Sequence, residues 1–463
     1  MRMGVVTAVA ATVALVSVPR AAEESTVLTP SGFAYFQIGQ VNRSWQRAYD
    51  HTFRQQAVGR FTLTLDHGRR MKFVAGIEGV KRLLILGTAE DYSHVALKEA
   101  QGVVYFGDTD RETGWWGDCA IGYFPYKYNP DARDLGEYLM RSGTYPGYII
   151  TDFENAKYRA LGLRASAHKG TMFTHDLLFT SETSFEPYDD YSLASVSTVN
   201  LGKALTLGAG AALNRLIPVD PEKTTSNNEI RDADREVVKD SKGDTLFWTL
   251  RGTKLMGRFS LDPKPFIPTD FFRGNDLRLY SEFAVLGLRD IPVHYPNLLE
   301  RTPVMVGFNI PTHPLVAGGT LLGIQLLAYL DGFLKDTVGV PTNFYVTIAT
   351  PFPALLSWGA EQLFGTDARL NSLAIEVEWY GAQLNNRPIS FPEEPGPPDD
   401  YASVDNLKWI IHARKTLFDR LDLIGLVGRD HYRDRDDGGN FERKEILRAR
   451  EDLYFMFRLM FKI

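Results

Sequence analysis

The densest cluster of residues able to do chemistry is Asp434-Arg435-Asp436-Asp437-Gly438-Gly439-Asn440-Phe441-Glu442-Arg443-Lys444-Glu445. With Asp434 at position one, Asp436 stands at three, Gly439 at six, Phe441 at eight and Glu445 at twelve, the spacing by which a loop wraps oxygen ligands around calcium. Gly438 at position five withholds a ligand, and the flanks alternate like strands where the motif wants helices. Asp434, Asp436 and Glu445 are therefore a calcium candidate set beside the plainer reading of a solvated loop. No other cofactor is expected. The nine histidines show no His-Glu-x-x-His spacing, which disfavours a catalytic metal. The run Leu207-Gly208-Ala209-Gly210-Ala211-Ala212 has the glycines of a dinucleotide loop. It lies inside an alternating stretch and opens no helix, so small inward residues explain it better.

Charge and composition narrow the partners. The 463 residues carry 51 Lys plus Arg against 57 Asp plus Glu, a formal charge of −6 with no long run of either sign. Nucleic acid, whose phosphates need a basic face, is not an expected partner. With 44% apolar and 12% aromatic residues the chain can bury enough surface to fold, which excludes disorder. The single Cys119 can make no internal disulfide and reads as one small buried residue.

The start of the chain reads as an export signal spanning 1–22. Arg2 precedes fifteen uncharged residues, Gly4 to Val18, which give way to Pro19-Arg20-Ala21-Ala22. That is a basic start, a short apolar stretch and a small-residue exit, too short for a membrane helix of ~20 apolar residues. Residues 23–463 are then expected to form one domain.

Period two dominates that domain. Phe61, Leu63 and Leu65 alternate with Arg60, Thr62 and Thr64; after the turn at 67–70, Met71, Phe73, Ala75 and Ile77 alternate with Lys72, Val74, Gly76 and Glu78. Alternating runs joined by short polar turns are antiparallel hairpins. The same rule gives hairpins about 168–170 and 202–203, and a turn at Gly252-Thr253-Lys254 between runs 246–250 and 255–261. Short turns are interleaved with long polar stretches such as 127–156, 217–242 and 429–448, the two-ended asymmetry of outer-membrane barrels. About sixteen strands, within 14–18, are expected: an all-β, transmembrane antiparallel barrel.

The last segment sharpens this. Leu453, Phe455, Phe457, Leu459, Phe461 and Ile463 occupy one face, and Tyr454, Met456, Arg458, Met460 and Lys462 the other. It resembles the terminal strand of bacterial outer-membrane barrels, though it ends in Ile463 where an aromatic residue is usual. The chain as a whole resembles porin-like barrels in pattern. That resemblance implies a Gram-negative outer membrane, surrounding lipid, the barrel-assembly machinery as partner, and transport. Asn42-Arg43-Ser44-Trp45-Gln46-Arg47-Ala48-Tyr49 separately resembles a fragment of the outer-membrane phospholipase family, whose members carry a Ser and His pair. The family's His-x-Ser-Asn-Gly stretch is missing upstream, and His51 is the nearest base, so an enzyme is not expected. A secreted soluble β protein is the remaining alternative, since sandwiches also alternate.

In a barrel the outward row is apolar and the inward row is free to be polar. The inferred inward row carries Arg60, Lys72, Glu78, Arg164, Arg258, Arg278, Glu282, Glu376, Glu378, His412 and Arg458, which would line a pore for passive diffusion of small hydrophilic solutes. The alternative is a plugged barrel that anchors a surface-binding device. One block breaks the pattern. Between 311 and 370, Leu315 to Leu334 is apolar around most of a helix, and a second short helix follows Pro353. A helical hairpin folded into the lumen or against the rim is expected there.

Overall fold

The computed structural model describes residues 26–44, 49–68, 70–84, 92–108, 110–140, 158–181, 191–217, 252–267, 272–288, 298–312, 369–379, 407–430, 433–434, 444–445, 447 and 451–463. The strands are β1 (Thr26–Arg43), β2 (Phe53–His67), β3 (Met71–Leu84), β4 (Tyr92–Gly107), β5 (Trp115–Tyr126), β6 (Tyr158–Lys169), β7 (Phe173–Ser181), β8 (Tyr191–Leu201) and β9 (Leu205–Ile217). They continue as β10 (Gly252–Leu261), β11 (Leu279–Val285), β12 (Val304–Asn309), β13 (Ser372–Trp379), β14 (Leu407–Leu417), β15 (Leu421–Arg429), β16 (Arg433–Asp434), β17 (Lys444–Glu445) and β18 (Leu453–Lys462). All but β16 and β17, which pair only with each other, form one closed barrel of sixteen strands. Each strand is antiparallel to its neighbours in sequence, and β18 closes the ring on β1 with Ile38 opposite Phe457 and Gln37 opposite Arg458.

Lipid offers no hydrogen bonds, so such a sheet crosses it only when closed. The side chains follow. Along β18, Tyr454, Met456 and Arg458 are buried while Phe455, Phe457, Leu459 and Phe461 are about 40–46% exposed on the outer face. Phe61, Phe73, Ile77 and Phe283 continue this outward apolar row around the barrel. Cys119 belongs to the same face, exposed instead of buried as its type suggested. Its register neighbours across β4 and β6 are Val104 and Ala165, so the period of β5 aims it at lipid.

Chain direction assigns every connection to one of two ends. The tight turns after β2, β6, β8 and β14 share an end with the start of β1 and the end of β18, and so does the link from β12 to β13. The expected helical insert at 311–370 lies outside the described residues except at its roots, Pro311–Thr312 and Arg369–Leu370, and neither root is helical. The helical turns whose whole span is described are three-residue 3-10 turns at Tyr138–Met140, Lys264–Phe266 and Leu299–Arg301. The roots sit at the short-turn end. Thr312 Oγ1 lies 3.2 Å from the buried Asp276 carboxylate, and Arg273 donates to the carbonyls of Arg369 and Leu370 at 3.1 and 3.0 Å.

One expected hairpin is corrected. Gly252, Thr253 and Lys254 make no turn: they begin β10, paired with Asn214, Leu213 and Ala212 of β9. Lys254 is fully buried on the inner face, so a polar residue that read as turn chemistry is an inward position of a strand. The expected signal at 1–22 lies outside the described residues.

The outward register has a direct test. Phe457→Arg places a basic residue toward mid-bilayer and should lower folding stability in lipid vesicles by about 2 to 4 kcal/mol, whereas Phe457→Leu should cost under about 1.5 kcal/mol. Equal refolding yields for the two variants would show that this face does not meet lipid.

Candidate functional site

The barrel interior is built from two kinds of charged side chain. On the β2–β7 wall the charges pair with each other. Arg60 Nε donates to Glu78 at 2.9 Å, Lys98 Nζ lies 3.0 Å from the same carboxylate, and Arg164 lies 2.7 Å from Asp118. These pairs keep partial contact with solvent, with side-chain exposures of 19% for Arg60, 21% for Lys98 and 23% for Arg164.

On the β11–β13 wall the carboxylates serve the backbone. The chain leaving β5 does not run outward; residues 127–140 turn into the barrel and are mostly buried. A buried loop must find acceptors for its N–H groups. Glu376 Oε1 accepts the N–H of Arg133 at 2.6 Å, and Oε2 accepts those of Asp134 and Leu135 at 2.9 and 3.0 Å. Glu282 accepts the N–H of Glu137 at 2.9 Å and of Tyr138 at 2.8 Å, the Asn129 amide at 3.3 Å, and the Tyr128 hydroxyl. Tyr280 Oη adds a 2.8 Å donation to Glu376. Apolar packing completes the dock: Leu135 and Tyr138 are fully buried, and Leu139 rests against the bare backbone of Gly210. Gly136 makes the bend possible. Its φ is +84°, and a Cβ there would come within 2.8 Å of Met305 and 2.9 Å of Glu282.

The chain thus forms a closed barrel with an apolar outside, charged walls inside and an inward-folded loop. This is the architecture of a porin-like outer-membrane barrel. Among solved structures the chain is similar to an engineered variant of the Rhodopseudomonas blastica porin, at 9% identity over 94% of this chain and all of that one, with a TM-score of 0.41. It is also similar to OprB of Pseudomonas putida, at 10% identity over 94% of each chain, with a TM-score of 0.47. No protein-family description and no curated protein matches the sequence.

Arg60, Glu78, Arg164, Arg258, Glu282, Glu376, Glu378 and Arg458 face the interior, and Lys72 shares their face, opposite Asp66. Arg458 is buried, donating to Gln37 at 2.6 Å and lying 4.1 Å from the Tyr35 ring. Arg278 stands just before β11 and bridges Asp131 of the tucked segment, at 2.7 Å, and Asp262, at 3.3 Å. His412 belongs to β14, opposite Ala374 of β13 and Leu426 of β15. The structure brings Glu282, Glu376 and Arg278 together around residues 127–140; Arg60 and Glu78 stand apart on the other wall. Of the calcium set, Asp436 lies outside the described residues, while Asp434 and Glu445 belong to the short β16–β17 ladder. No metal-binding cluster occurs among the described residues. Ser44 is completely buried, whereas His51 is exposed in a turn with φ of +56°.

By sequence pattern, residues 127–140 belong to the long polar stretch 127–156. The overlooked signal is apolar: Leu135, Tyr138, Leu139 and Met140 within six residues, around a glycine.

The loop carries unusual acids. Burial, together with neighbouring Glu282, pushes the Glu137 carboxyl up to about 8. Burial and the nearby Glu376 and Asp430 raise Asp134 well above the carboxylate range. A carboxyl whose folded-state pKa is raised supports the folded loop fully below its ordinary value near 4.5 and loses that support as pH climbs through about 8. The thermal midpoint of detergent-refolded barrel should therefore fall between pH 5 and pH 9, and Glu137→Gln should flatten much of that fall. Parallel curves for the two proteins would exclude Glu137 as the titrating group.

Glu376→Ala tests the dock itself. It removes the acceptor for three N–H groups and should speed amide exchange at residues 133–135 by about tenfold or more, leaving β3 unchanged. Unaltered protection would mean the loop is held by packing alone.

Proposed function

We propose that the protein is a diffusion channel of the bacterial outer membrane, passing small hydrophilic solutes, with residues 127–140 as its constriction. The single observation that carries this reading is the paired yet partly solvated charge on the β2–β7 wall. Opposed charges in a wet interior make a transverse field that polar solutes cross and apolar ones do not. The tucked segment lies against β9, β10 and β11 and so narrows the barrel from one side. Delivery by the barrel-assembly machinery and residence among outer-membrane lipids follow from the same reading, and it includes no catalytic step.

A second reading, a filled barrel serving as a surface anchor, is favoured by the stretch of wall made by β15 and β18. There the inward side chains Ile424, Leu426, Met456 and Arg458 are buried.

Planar-bilayer recording separates the two. A channel gives stable ohmic steps, and replacing residues 129–139 by a short Gly-Ser link should raise conductance roughly twofold or more. An insertion-competent protein that passes no current would favour the anchor. A conductance untouched by the replacement would dismiss residues 127–140 as the constriction.

A further inference from the structure

A cavity of about 430 Å³ lies between the tucked segment and the inner wall at the short-turn end, bordered by Arg133 of the segment, Lys203 of the β8–β9 turn, Arg258 and Asn309. Its acids are already matched. Asp131 and Asp262 are both held by Arg278, and Asp262 also lies 2.8 Å from Lys264. The remaining charge is cationic.

Two buried side chains in this cavity have unmet hydrogen-bonding capacity. Arg258, 6% exposed, donates to Thr198 Oγ1 at 2.8 Å, but its Nε has no acceptor. The acid beside it across the ladder, Glu282, is committed to the loop. Gly208 opposite Arg258 leaves the room: a Cβ there would lie 2.7 Å from the Cγ and Nε of that side chain. Asn309, 4% exposed, has an Oδ1 that accepts nothing. A buried guanidinium N–H calls for an oxyanion, and a buried amide oxygen calls for a donor such as a hydroxyl.

We propose that this cavity is a binding subsite for a small hydroxylated oxyanion, a carboxylate or phosphate carried on a polyhydroxy chain. Arg258 and Lys203 hold the oxyanion, and Asn309 Oδ1 receives a hydroxyl. The volume suits a solute of sugar size, being near the lower end of the roughly 300–1,000 Å³ typical of ligand pockets. The proposal rests on the channel reading, because solute reaches the cavity through the lumen.

Gluconate and glucose 6-phosphate are the probes, with glucose and acetate supplying hydroxyls or charge alone. Each is titrated against the current of the full-length barrel in planar bilayers, and by calorimetry against the same protein in detergent. At least one probe should block the current saturably, at concentrations about tenfold or more below either comparator, and the better one identifies the head group. The block should weaken at least about tenfold in Arg258→Gln and in Lys203→Gln, and stay unchanged in Arg420→Gln, an exposed cation in another turn at the same end. Lys203 is exposed in its turn, so that variant carries the test if Arg258→Gln does not refold. A conducting barrel that treats all four solutes alike, or whose block survives both substitutions, overturns the subsite while the channel stands. A barrel that passes no current yet binds a probe in calorimetry, with the binding lost in Lys203→Gln, keeps the subsite and overturns the channel.

Discussion

A chain immersed in lipid must satisfy each of its backbone N–H and C=O groups from within, because the solvent supplies no partner. That constraint shapes the strands first: an open sheet would leave an unpaired edge, and the pairing of β1 with β18 abolishes it. It shapes the interior next. Residues 127–140 lie inside the barrel without a ladder of their own, and their N–H groups face the same demand. Glu282 and Glu376 do for this segment what neighbouring strands do for each other. Each carboxylate offers two oxygens with several acceptor positions, so two side chains from β11 and β13 receive five backbone N–H groups.

Carboxylates are well chosen for that purpose and costly in it. Charge-assisted bonds to N–H groups are roughly twice as strong as neutral ones and offset the loss of hydration that buried anions suffer. The compensation is incomplete around Glu137, whose own carboxyl sits beside Glu282 in the same dry pocket. The result is a carboxyl pushed up to about 8, first by burial and then by the charge of Glu282 beside it.

This also explains what the sequence made legible and what it did not. Strands, turns and the lipid face of β18 follow from a period of two, a property each residue shares with neighbours two positions away, so local inspection recovers it. Lys254 shows where that fails, since a buried cation in a strand and a polar turn residue look alike when its partners on β9 are unknown. Glu282 and Glu376 were recognisable as inward-facing, but their work is not. An inward carboxylate facing water and one capping a loop 144 residues away in sequence have the same local pattern. The apolar block at 311–370 is conspicuous in the sequence, whereas the fourteen residues 127–140, which enter the barrel, are flanked by polar neighbours that mask their apolar content.

The pairing of Glu282 and Glu376 with backbone has a further electrostatic result. A carboxylate that accepts N–H groups is less available to an adjacent cation, for its lone pairs are directed elsewhere. Arg258 faces Glu282 across the β10–β11 ladder and yet makes its described hydrogen bond to Thr198. Arg133 likewise lends its N–H to Glu376 while its guanidinium Nε is without an acceptor. Docking the loop therefore occupies carboxylate oxygens on one wall and leaves guanidinium N–H groups without acceptors beside it. The interaction that holds the loop inside the barrel thus also decides which polar groups of the neighbouring wall are left without a partner.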